Sequence, residues 1–365
     1  MNWKFSLKRK PKAGKKKKSK TREWLDAIVF AVVAATLIRG LLFSAYAIPS
    51  GSMEGTELTG DYLFVSKISY GPRIANTPLA FPFVEPKVYG IRSYWDLIEL
   101  PYWRLPGFTE VKKGDVVVFN KPEDADQGIP VDERTTLIKR CQATPGDRLT
   151  IVNGQVYING KAGQNAVKQQ TSYLVTTNGT DINPQLLEDF NIETRQQLGP
   201  NVYDMVIPKE HLAEIKSYSN IKSLEPYIKK PGDFDSLVFP RSAKFKWNED
   251  NFGPLVIPKR GWTIPLNDST LTLYRRAIEV YENNKVEVKD KDIYVNGKKA
   301  ASYTFKMNYY WMMGDNRHNS WDSRFWGYVP EDHIIGKALI TVMSADSTKG
   351  FFNKIRWNRM FKPID

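Results

Sequence analysis

The longest apolar run of the chain lies near its start. Residues 27–38 carry no charge, Arg39 interrupts the run, and residues 40–48 are again uncharged. A helix over Trp24–Ile48 would be roughly 37 Å long, enough to cross a bilayer with some tilt. An arginine at the centre of a membrane costs about 2.5–3.5 kcal/mol, so we expect Arg39 near the outer headgroups and 40–48 at the outer boundary.

Two other interpretations of this run are open. A helix of this kind also occurs in the core of soluble proteins, although a core helix does not explain a cluster of cations before it. The motif Ala45-Tyr46-Ala47 is an A-x-A cleavage pattern after an apolar stretch, so the segment also fits a signal peptide that is removed. No further stretch of spanning length follows.

The charge of the chain is concentrated before this run. The 365 residues carry 53 Lys+Arg and 40 Asp+Glu, a net +13, and residues 1–22 hold 11 of the basic residues and no acid. The other residues therefore have 42 basic against 40 acidic groups, which disfavours a nucleic-acid-binding body. Cations before the apolar run predict the tail inside and residues 49–365 outside the membrane.

After Pro49 the pattern changes to short alternating or β-branched runs, which predict strands starting at Asp61, Asp115, Arg148 and Ala338. The Asn-Gly pairs Asn153-Gly154, Asn159-Gly160 and Asn296-Gly297 predict tight turns.

The segments 156–161 and 293–298 resemble each other, so either two hairpins flank an insertion or one small pattern occurs twice. Between them, 163–285 is polar and less regular, which predicts a secondary lobe with helices at Glu210–Tyr218 and Leu273–Asn284.

Another irregular stretch covers residues 71–112. Within Phe81–Phe108 there are eight aromatic residues and four prolines, which favours a long loop over a regular element. Aromatic side chains of this kind are typical of the headgroup depth of a membrane, and they also fit a loop folded over the core. Both interpretations are open from the sequence.

The chain lacks the residue patterns that several kinds of site require. The single cysteine, Cys141, excludes an intramolecular disulfide and a multi-cysteine zinc site, and we expect it to be a small buried residue. The histidines His211, His318 and His333 have no H-E-x-x-H spacing. The chain has no G-x-S-x-G elbow, P-loop or dinucleotide fingerprint. We expect neither a metal nor an organic cofactor.

Four segments stand out together: Ile48–Met53, Lys113–Phe119, Leu137–Arg140 and Gly314–Arg324. Their composition and their order after an apolar run resemble the signature segments of type I signal peptidase. This family consists of membrane-anchored Ser/Lys proteases that remove signal peptides from exported proteins. Any one segment alone is a weak signal, whereas their joint occurrence in this order is specific. The resemblance also favours the uncleaved anchor over a signal peptide.

The resemblance implies a role for each matching residue. Ser52 matches the nucleophile and Lys139 the general base. Ser50 matches an oxyanion-hole donor, and Ser320 matches a hydroxyl that orients the lysine. Four charged residues match supporting positions: Asp315, Arg317, Asp322 and Arg324. Three residues match positions of the substrate pocket: Met53, Leu137 and Ile138.

A lysine base imposes its own constraints. A free lysine has a pKa of about 10.4 and is a cation at neutral pH, so burial must lower its pKa by several units. Leu137 and Ile138 supply apolar surroundings, and a hydroxyl such as that of Ser320 can hold the neutral amine without adding charge. A carboxylate beside the amine would stabilise the ammonium. We therefore expect Asp315 and Asp322 to face arginines.

The sequence departs from the family pattern at four positions near the predicted pocket, Gly55, Glu57, Ala143 and His318. Gly55 stands where proline is usual, Glu57 where an apolar pocket residue is common, and Ala143 where glycine is usual. At the position of His318 the family often has aspartate, and we expect His318 to lie at the surface. These departures leave the proposed pair intact and change the expected pocket shape.

The resemblance implies a mainly β protein in which a transmembrane helix precedes an antiparallel β catalytic domain with an inserted secondary lobe. The expected parts are a basic cytoplasmic tail (1–22), a transmembrane anchor (23–48) and a catalytic core in two pieces (49–162 and 286–350). The secondary lobe (163–285) lies between these pieces, and an aromatic, basic segment (351–365) follows them.

The expected function is endopeptidase cleavage of preproteins after small-x-small motifs at the outer face of the cytoplasmic membrane. A specialised maturation peptidase with the same Ser/Lys pair is a close alternative. A catalytically silent, anchored binding protein for exported chains is an alternative of another class. The expected partners are preproteins, the lipid bilayer and the export machinery, and no nucleic acid.

Overall fold

The computed structural model describes residues 19–81, 86–88, 91–163, 165–166, 168–290, 292–346, 349–350 and 353–364. Most of the predicted tail, 1–22, lies outside these residues. The described helices are α1 (Lys20–Leu37), α2 (Pro184–Asp189), α3 (Leu212–Ser217), α4 (Asp268–Arg276) and α5 (Ser323–Trp326).

The described strands, in chain order, are β1 (Phe43–Ala47), β2 (Asp61–Ser66), β3 (Lys87–Val88), β4 (Ile91–Arg92), β5 (Val116–Asn120), β6 (Thr136–Ala143), β7 (Arg148–Val152), β8 (Gln155–Ile158), β9 (Lys161–Ala162), β10 (Thr171–Thr177), β11 (Glu193–Gly199), β12 (Val202–Ile207), β13 (Ile221–Pro226), β14 (Phe252–Val256), β15 (Thr263–Pro265), β16 (Val286–Lys289), β17 (Asp292–Val295), β18 (Lys298–Lys299), β19 (Ser302–Thr304), β20 (Tyr309–Met313), β21 (Val329–Pro330), β22 (Ile334–Ser344) and β23 (Lys362–Pro363).

The N-terminal helix is long and apolar enough to cross a membrane. Together with a π-helical turn, α1 covers Lys20–Leu42, and none of its most apolar stretch is buried against the protein. The helix predicted at 24–48 therefore begins earlier than expected, at Lys20, and ends at Leu42 instead of Ile48. Phe43 leaves the helix because β1 pairs residue by residue with β2, and the ring of Phe43 stacks on that of Phe64 at 4.7 Å.

An antiparallel sheet carries the residues of the predicted site. Its strand order is β1-β2-β22-β5-β6-β20-β21, and β23 pairs with β22. The predicted mainly β, antiparallel fold is thus confirmed. On one side of β6, β5 pairs with Thr136–Arg140, whereas on the other side β20 pairs only with Arg140–Ala143. In the part of the chain that the structure describes, the first half of β6 therefore has an open edge.

Both faces of this sheet are covered. Successive side chains of a strand point to opposite faces, and β5 shows this directly. Val116 and Val118 belong to one hydrophobic cluster with Met53, whereas Val117 and Phe119 belong to another on the opposite face. Burial on both faces explains why β5 is a continuous apolar run without alternation.

The Asn-Gly turns form as predicted. Asn153, Asn159 and Asn296 have φ values of 48°, 53° and 52°, and each is followed by a glycine that also has positive φ. Two meanders result, β7-β8-β9 and β16-β17-β18. The two similar sequence segments therefore build the same three-stranded unit twice, because positive φ at both turn positions suits Asn and Gly.

The stretch 163–285, expected as one lobe, divides between two hydrophobic clusters. Residues 171–226 form the sheet β11-β12-β10-β13 around their own apolar cluster. In contrast, β14 pairs with β7, and α4 packs into the large cluster that includes Trp311 and Tyr328. The polar composition that suggested one lobe reflects long loops, whereas the apolar residues of 252–281 belong to the central body.

We predict that the A-x-A motif at 45–47 stays uncut in the native protein. These residues are hydrogen-bonded partners of 62–64 in the sheet, so their backbone is not free to enter the site of another copy. Pro49 adds a second obstacle shortly after the motif. Mass spectrometry of membrane-extracted protein should return the intact chain. A mature N-terminus at Ile48, with activity in the soluble fraction, would refute the anchor.

Candidate active site

Ser52 lies in a tight turn directly after the first strand. The turn covers Gly51–Met53, and its base is closed by two backbone hydrogen bonds. Ile48 N donates to Asp61 O at 2.8 Å, and Gly60 N donates to Ile48 O at 2.9 Å. Because both ends of this loop are tied to the sheet edge, Ser52 is held at a fixed place.

The side chain of Lys139 reaches this serine from strand β6, which is separated from β2 by β22 and β5 in the sheet order. Lys139 Nζ lies 2.6 Å from Ser52 Oγ and donates to the carbonyl oxygen of Ile138 at 2.9 Å. Lys139 is only 4% exposed. The two residues are 87 positions apart in sequence, and the sheet topology alone brings them together.

Burial lowers the pKa of Lys139 to about 8, because the apolar surroundings penalise the ammonium form. Asp322 and Asp315 oppose this shift, since their charges favour the cation. A lysine with this pKa has a sizeable neutral fraction near neutral pH. The amine beside Ser52 can therefore accept the serine proton.

Asp315 is bound by an arginine from β6. Arg140 Nη2 lies 2.7 Å from Asp315 Oδ2, and its Nε donates to Oδ1 at 2.9 Å. Thr56 Oγ1 also donates to Asp315 Oδ2, at 2.6 Å. The sequence interpretation assigned no role to Arg140, although this residue belongs to the segment Leu137–Arg140, and it assigned none to Thr56. Its demand for an arginine beside each carboxylate was the signal that could have found Arg140.

Asp322 is bound by Arg324, with Nη2 to Oδ2 at 2.8 Å and Nε to Oδ1 at 2.9 Å. Gly314 N also donates to Asp322 Oδ2 at 3.0 Å. Although burial opposes it, the charge of Arg324 lowers the pKa of Asp322. The carboxylate therefore stays ionised, and the charge of Arg324 compensates part of its effect on Lys139.

Arg317 is placed differently from the other charged residues of its segment. Its guanidinium is buried, and none of its three nitrogens has a hydrogen-bond partner in the part of the chain that the structure describes. Burial, with the nearby charge of Arg324, lowers the pKa of Arg317 to about 10. Its backbone carbonyl accepts a hydrogen bond from Arg324 Nη2, so the main chain of Arg317 supports the Asp322–Arg324 pair.

The side chains of the two further serines of the predicted site, Ser50 and Ser320, make no hydrogen bond to Ser52 or Lys139 among the described residues. Ser50 is exposed, precedes the Ser52 turn and does not cap it. Ser320 is buried and close enough to Asp322 to lower the pKa of that carboxyl. Its hydroxyl has no partner within hydrogen-bond distance among the described residues, and it packs directly over Gly314. Its role as orienting hydroxyl stays a prediction.

A cleft of about 1080 Å³ opens beside Ser52 and Lys139. Leu137 and Ile138 line it, as do residues of β1 and of the end of the N-terminal helix. Met53, predicted as a pocket residue, does not: it is 0% exposed and packs in the cluster beneath the site. The turn after Ser52 directs the Met53 side chain into the core.

Two departures from the family pattern have a structural reason. Gly55 has φ +96°, which proline cannot adopt, and a Cβ there would lie 1.9 Å from the carbonyl oxygen of Lys168. Glu57 does not line the cleft, because its carboxyl group is buried and accepts a hydrogen bond from Thr341 Oγ1 at 2.9 Å. A glutamate at this position therefore adds no charge to the cleft wall.

The expectation that His318 lies at the surface was wrong. The residue is buried, and its Nδ1 accepts from Ser172 N at 3.1 Å while its Nε2 lies 3.0 Å from Asp250 Oδ1. An acceptor at Nδ1 requires the proton on Nε2, which then donates to Asp250. His318 thus joins the segment 314–324 to the lobe strand β10 and to the loop before β14.

Glu249, Asp250 and His318 are close enough together to hold a metal ion in principle. Each already has a protein partner, since Glu249 pairs with Lys229 at 3.2 Å and Asp250 binds His318 and the backbone N–H of Lys229. We assign this group a structural role between segments of the chain.

The family model described as signal peptidase, peptidase S26, matches residues 21–223 and 190–343. These ranges cover most of the chain, including both Ser52 and Lys139.

The chain belongs to this family.

Curated relatives agree with this assignment. Signal peptidase I of Rickettsia massiliae (strain Mtu5) is 33% identical over 144 residues, which are 40% of this chain and 45% of that protein. Signal peptidase I of Buchnera aphidicola subsp. Acyrthosiphon pisum (strain APS) is 24% identical over 331 residues, 90% of this chain and 77% of that protein. The match to the Rickettsia protein therefore spans less than half of its length.

We predict that His318→Ala destabilises the protein and keeps substantial cleavage activity. The substitution removes the His318 hydrogen bond from the buried Asp250 carboxylate, which keeps only the backbone donor of Lys229, and this loss costs about 1–3 kcal/mol. It does not touch Ser52 or Lys139. Thermal unfolding should show a lower midpoint than for His211→Ala, whose imidazole stacks on the surface of the lobe at Phe190. Complete loss of activity in a folded His318→Ala protein would contradict a purely structural role.

Proposed function

We propose that this protein is a membrane-anchored endopeptidase that removes signal peptides from exported preproteins at small-x-small sites, with Ser52 as nucleophile and Lys139 as base. The observation that carries the proposal is the 2.6 Å contact between Lys139 Nζ and Ser52 Oγ, in surroundings that lower the pKa of the lysine to about 8. Membership of the signal peptidase family and relatives named signal peptidase I support the substrate class.

In this mechanism the neutral amine of Lys139 takes the proton of Ser52 as Oγ attacks the carbonyl carbon of the scissile bond. The resulting ammonium then donates that proton to the leaving amine, and an acyl-enzyme remains. Water attacks the ester in the second half, again with Lys139 as base. The carbonyl of Ile138 supports this cycle, because it accepts one N–H of Lys139 and so limits rotation of the amine.

The oxyanion of the tetrahedral intermediate requires hydrogen-bond donors. We assign this role to the backbone N–H of Ser52 and the hydroxyl of Ser50. Both residues line the same cleft, and the Ser50 side chain is not used to cap the turn. Loss of one such donor typically costs about 2.7–4 kcal/mol of transition-state stabilisation.

Substrate binding follows from the open edge of β6. The first half of this strand, Thr136–Lys139, lacks a partner on the side away from β5 among the described strands, and it ends at the base. An extended peptide can pair with this edge, so that backbone hydrogen bonds supply affinity. Ile138 beside the cut leaves room for a small side chain, which fits a small-x-small rule.

The exposed apolar residues fit a membrane location. α1 with its following turn is the proposed single span, with the basic tail in the cytoplasm and the catalytic domain on the outer side of the cytoplasmic membrane. Large side chains of the irregular loop and of the C-terminal segment are also solvent-exposed, with Leu97 at 82%, Phe108 at 88% and Trp357 at 71%. Contact of these residues with the bilayer interface removes them from water. Contact with the export machinery stays a prediction.

We predict that Ser52→Ala and Lys139→Ala each abolish turnover of a signal-peptide substrate while the protein still folds and inserts. Neither residue can act without the other, so each single loss should approach the double loss. The assay uses the purified full-length chain, and Lys113→Ala, which removes an exposed lysine paired with Asp147, serves as matched control.

Cleavage near the wild-type rate by either variant would refute the Ser/Lys mechanism. A wild-type protein that binds preproteins and leaves them uncut, with Ser52→Ala binding equally well, would instead identify a silent binding protein.

We predict that kcat/KM rises with pH through a limb near pH 8. Only the neutral amine can accept the serine proton, and the pKa of Lys139 is lowered to about 8 by burial, so activity is lost as pH falls below this value. Lys139→Arg should be inactive at every pH, because a guanidinium stays protonated. A flat profile from mildly acidic to alkaline pH, with chemistry rate-limiting, would contradict a lysine base.

A further inference from the structure

Two carboxyl groups lie together beneath the loop that follows Ser52. Glu57 and Asp61 are buried, at 2% and 0% exposure. Thr341 Oγ1 donates to Glu57 Oε2 at 2.9 Å, and Leu58 N donates to Asp61 Oδ2 at 2.8 Å. Burial, together with the charge of Asp61, raises the pKa of Glu57 to about 7. Two negative charges in such a site are unstable unless a cation balances them.

One cation from the C-terminal segment faces both carboxyl groups. Arg359 Nε lies 3.2 Å from Asp61 Oδ1, and Nη2 lies 3.4 Å from Glu57 Oε2 and also donates to Asp61 Oδ2. Although burial opposes it, the hydrogen bond from Arg359 lowers the pKa of Asp61. In the described part of the chain, Asp61 and Arg359 are the charged groups that face Glu57.

The same guanidinium is connected to the catalytic pair through Thr56. Arg359 Nη2 donates to the carbonyl oxygen of Thr56 at 3.1 Å. The hydroxyl of Thr56 in turn donates to Asp315 Oδ2 at 2.6 Å, beside Arg140. A continuous series of polar contacts therefore runs from the C-terminal segment, along the loop after Ser52, to the charges that flank Lys139.

The remaining contacts between this segment and the loop do not involve the two carboxyl groups. Arg356 Nη1 donates to the carbonyl oxygen of Thr59 at 3.0 Å, and Arg356 Nη2 pairs with Asp346 at 3.0 Å. Ala345 N donates to Gly60 O at 2.9 Å. The segment is thus attached at several points, and only Arg359 balances the charge.

We propose that Arg359 is a positioning residue for the cleavage reaction: by neutralising Glu57 and Asp61 it holds the loop 53–61, and with it Ser52, in place against Lys139. The inference rests on the proposed function, since it deepens the account of the same site. Its sequence signal was Glu57, an acid at a position where the family commonly has an apolar residue.

This charge balance makes the effect of removing Arg359 depend on pH. Without Arg359, Glu57 can still be accommodated as the neutral acid at low pH, whereas at high pH two buried carboxylates repel each other. The loop should then shift, and the loss of activity should grow with pH. Wild-type activity rises over the same range because Lys139 loses its proton, so the two effects have opposite signs and can be separated.

The test compares kcat/KM of full-length Arg359→Met with that of wild type across pH on one synthetic signal-peptide substrate. We expect a loss of about two- to threefold near pH 6 and of at least about tenfold near pH 9, well above the pKa of about 7 that Glu57 has beside Arg359. Arg359→Lys should retain much of the activity, because it keeps the charge. Adding Glu57→Gln to Arg359→Met should restore most of the alkaline activity.

Arg356→Met is the matched control, since it loosens the same segment without removing the balancing charge. The ratio of the kcat/KM of Arg356→Met to that of wild type should not vary with pH. An Arg359→Met loss that is equal at all pH values, or that Glu57→Gln does not rescue, would overturn the inference and leave Arg359 as a simple structural tie. If Arg359→Met fails to fold, the rescued double variant and Arg359→Lys still carry the comparison.

The control Ser52→Ala separates this inference from the proposed function. Wild-type cleavage that Ser52→Ala abolishes, together with an Arg359→Met profile parallel to that of wild type, contradicts only the positioning role. Cleavage that survives in Ser52→Ala contradicts the proposed function itself.

Discussion

The site depends on lowering the pKa of an amine in the interior of the protein. Lys139 is buried at the junction of β6 with the loop that carries Ser52, and desolvation there opposes the ammonium. The apolar clusters on both faces of the sheet create this environment. Packing, and not a neighbouring charged group, therefore lowers the pKa of this lysine, as the proposed role of a base requires.

A second constraint follows from the first. Carboxylates near the amine would restore its charge, and yet two of them lie close by. The protein resolves the conflict by giving each acid its own arginine, Arg140 for Asp315 and Arg324 for Asp322. Buried ion pairs of this kind contribute little net stability, since desolvation offsets the attraction. Their value here is geometric, because they fix the segment 314–324 against the serine loop.

The sequence predicted much of this arrangement, for identifiable reasons. Strands and Asn-Gly turns depend on local patterns. The turns formed where expected, and so did the strands, except that β5 begins at Val116 and β22 at Ile334. The helix end was wrong because pairing of β1 with β2 overrides the apolar continuity of residues 40–48. Met53 and His318 were misplaced because their directions depend on a single tight turn and on a partner, Asp250, 68 residues away. No local sequence pattern determines the direction of either side chain.

The direct passage from α1 into an edge strand has a mechanical consequence. Residues 43–47 belong at once to the end of the anchor and to the sheet that carries the site, so no flexible linker separates the two. About ten residues join Leu42 to Ser52, which limits their separation to roughly 35 Å even if fully extended. The enzyme therefore cannot search a volume as a tethered domain would. With α1 in the bilayer as proposed, the site samples a thin layer of nearly fixed height, and a peptide bond outside that layer is out of its reach whatever the sequence around the bond.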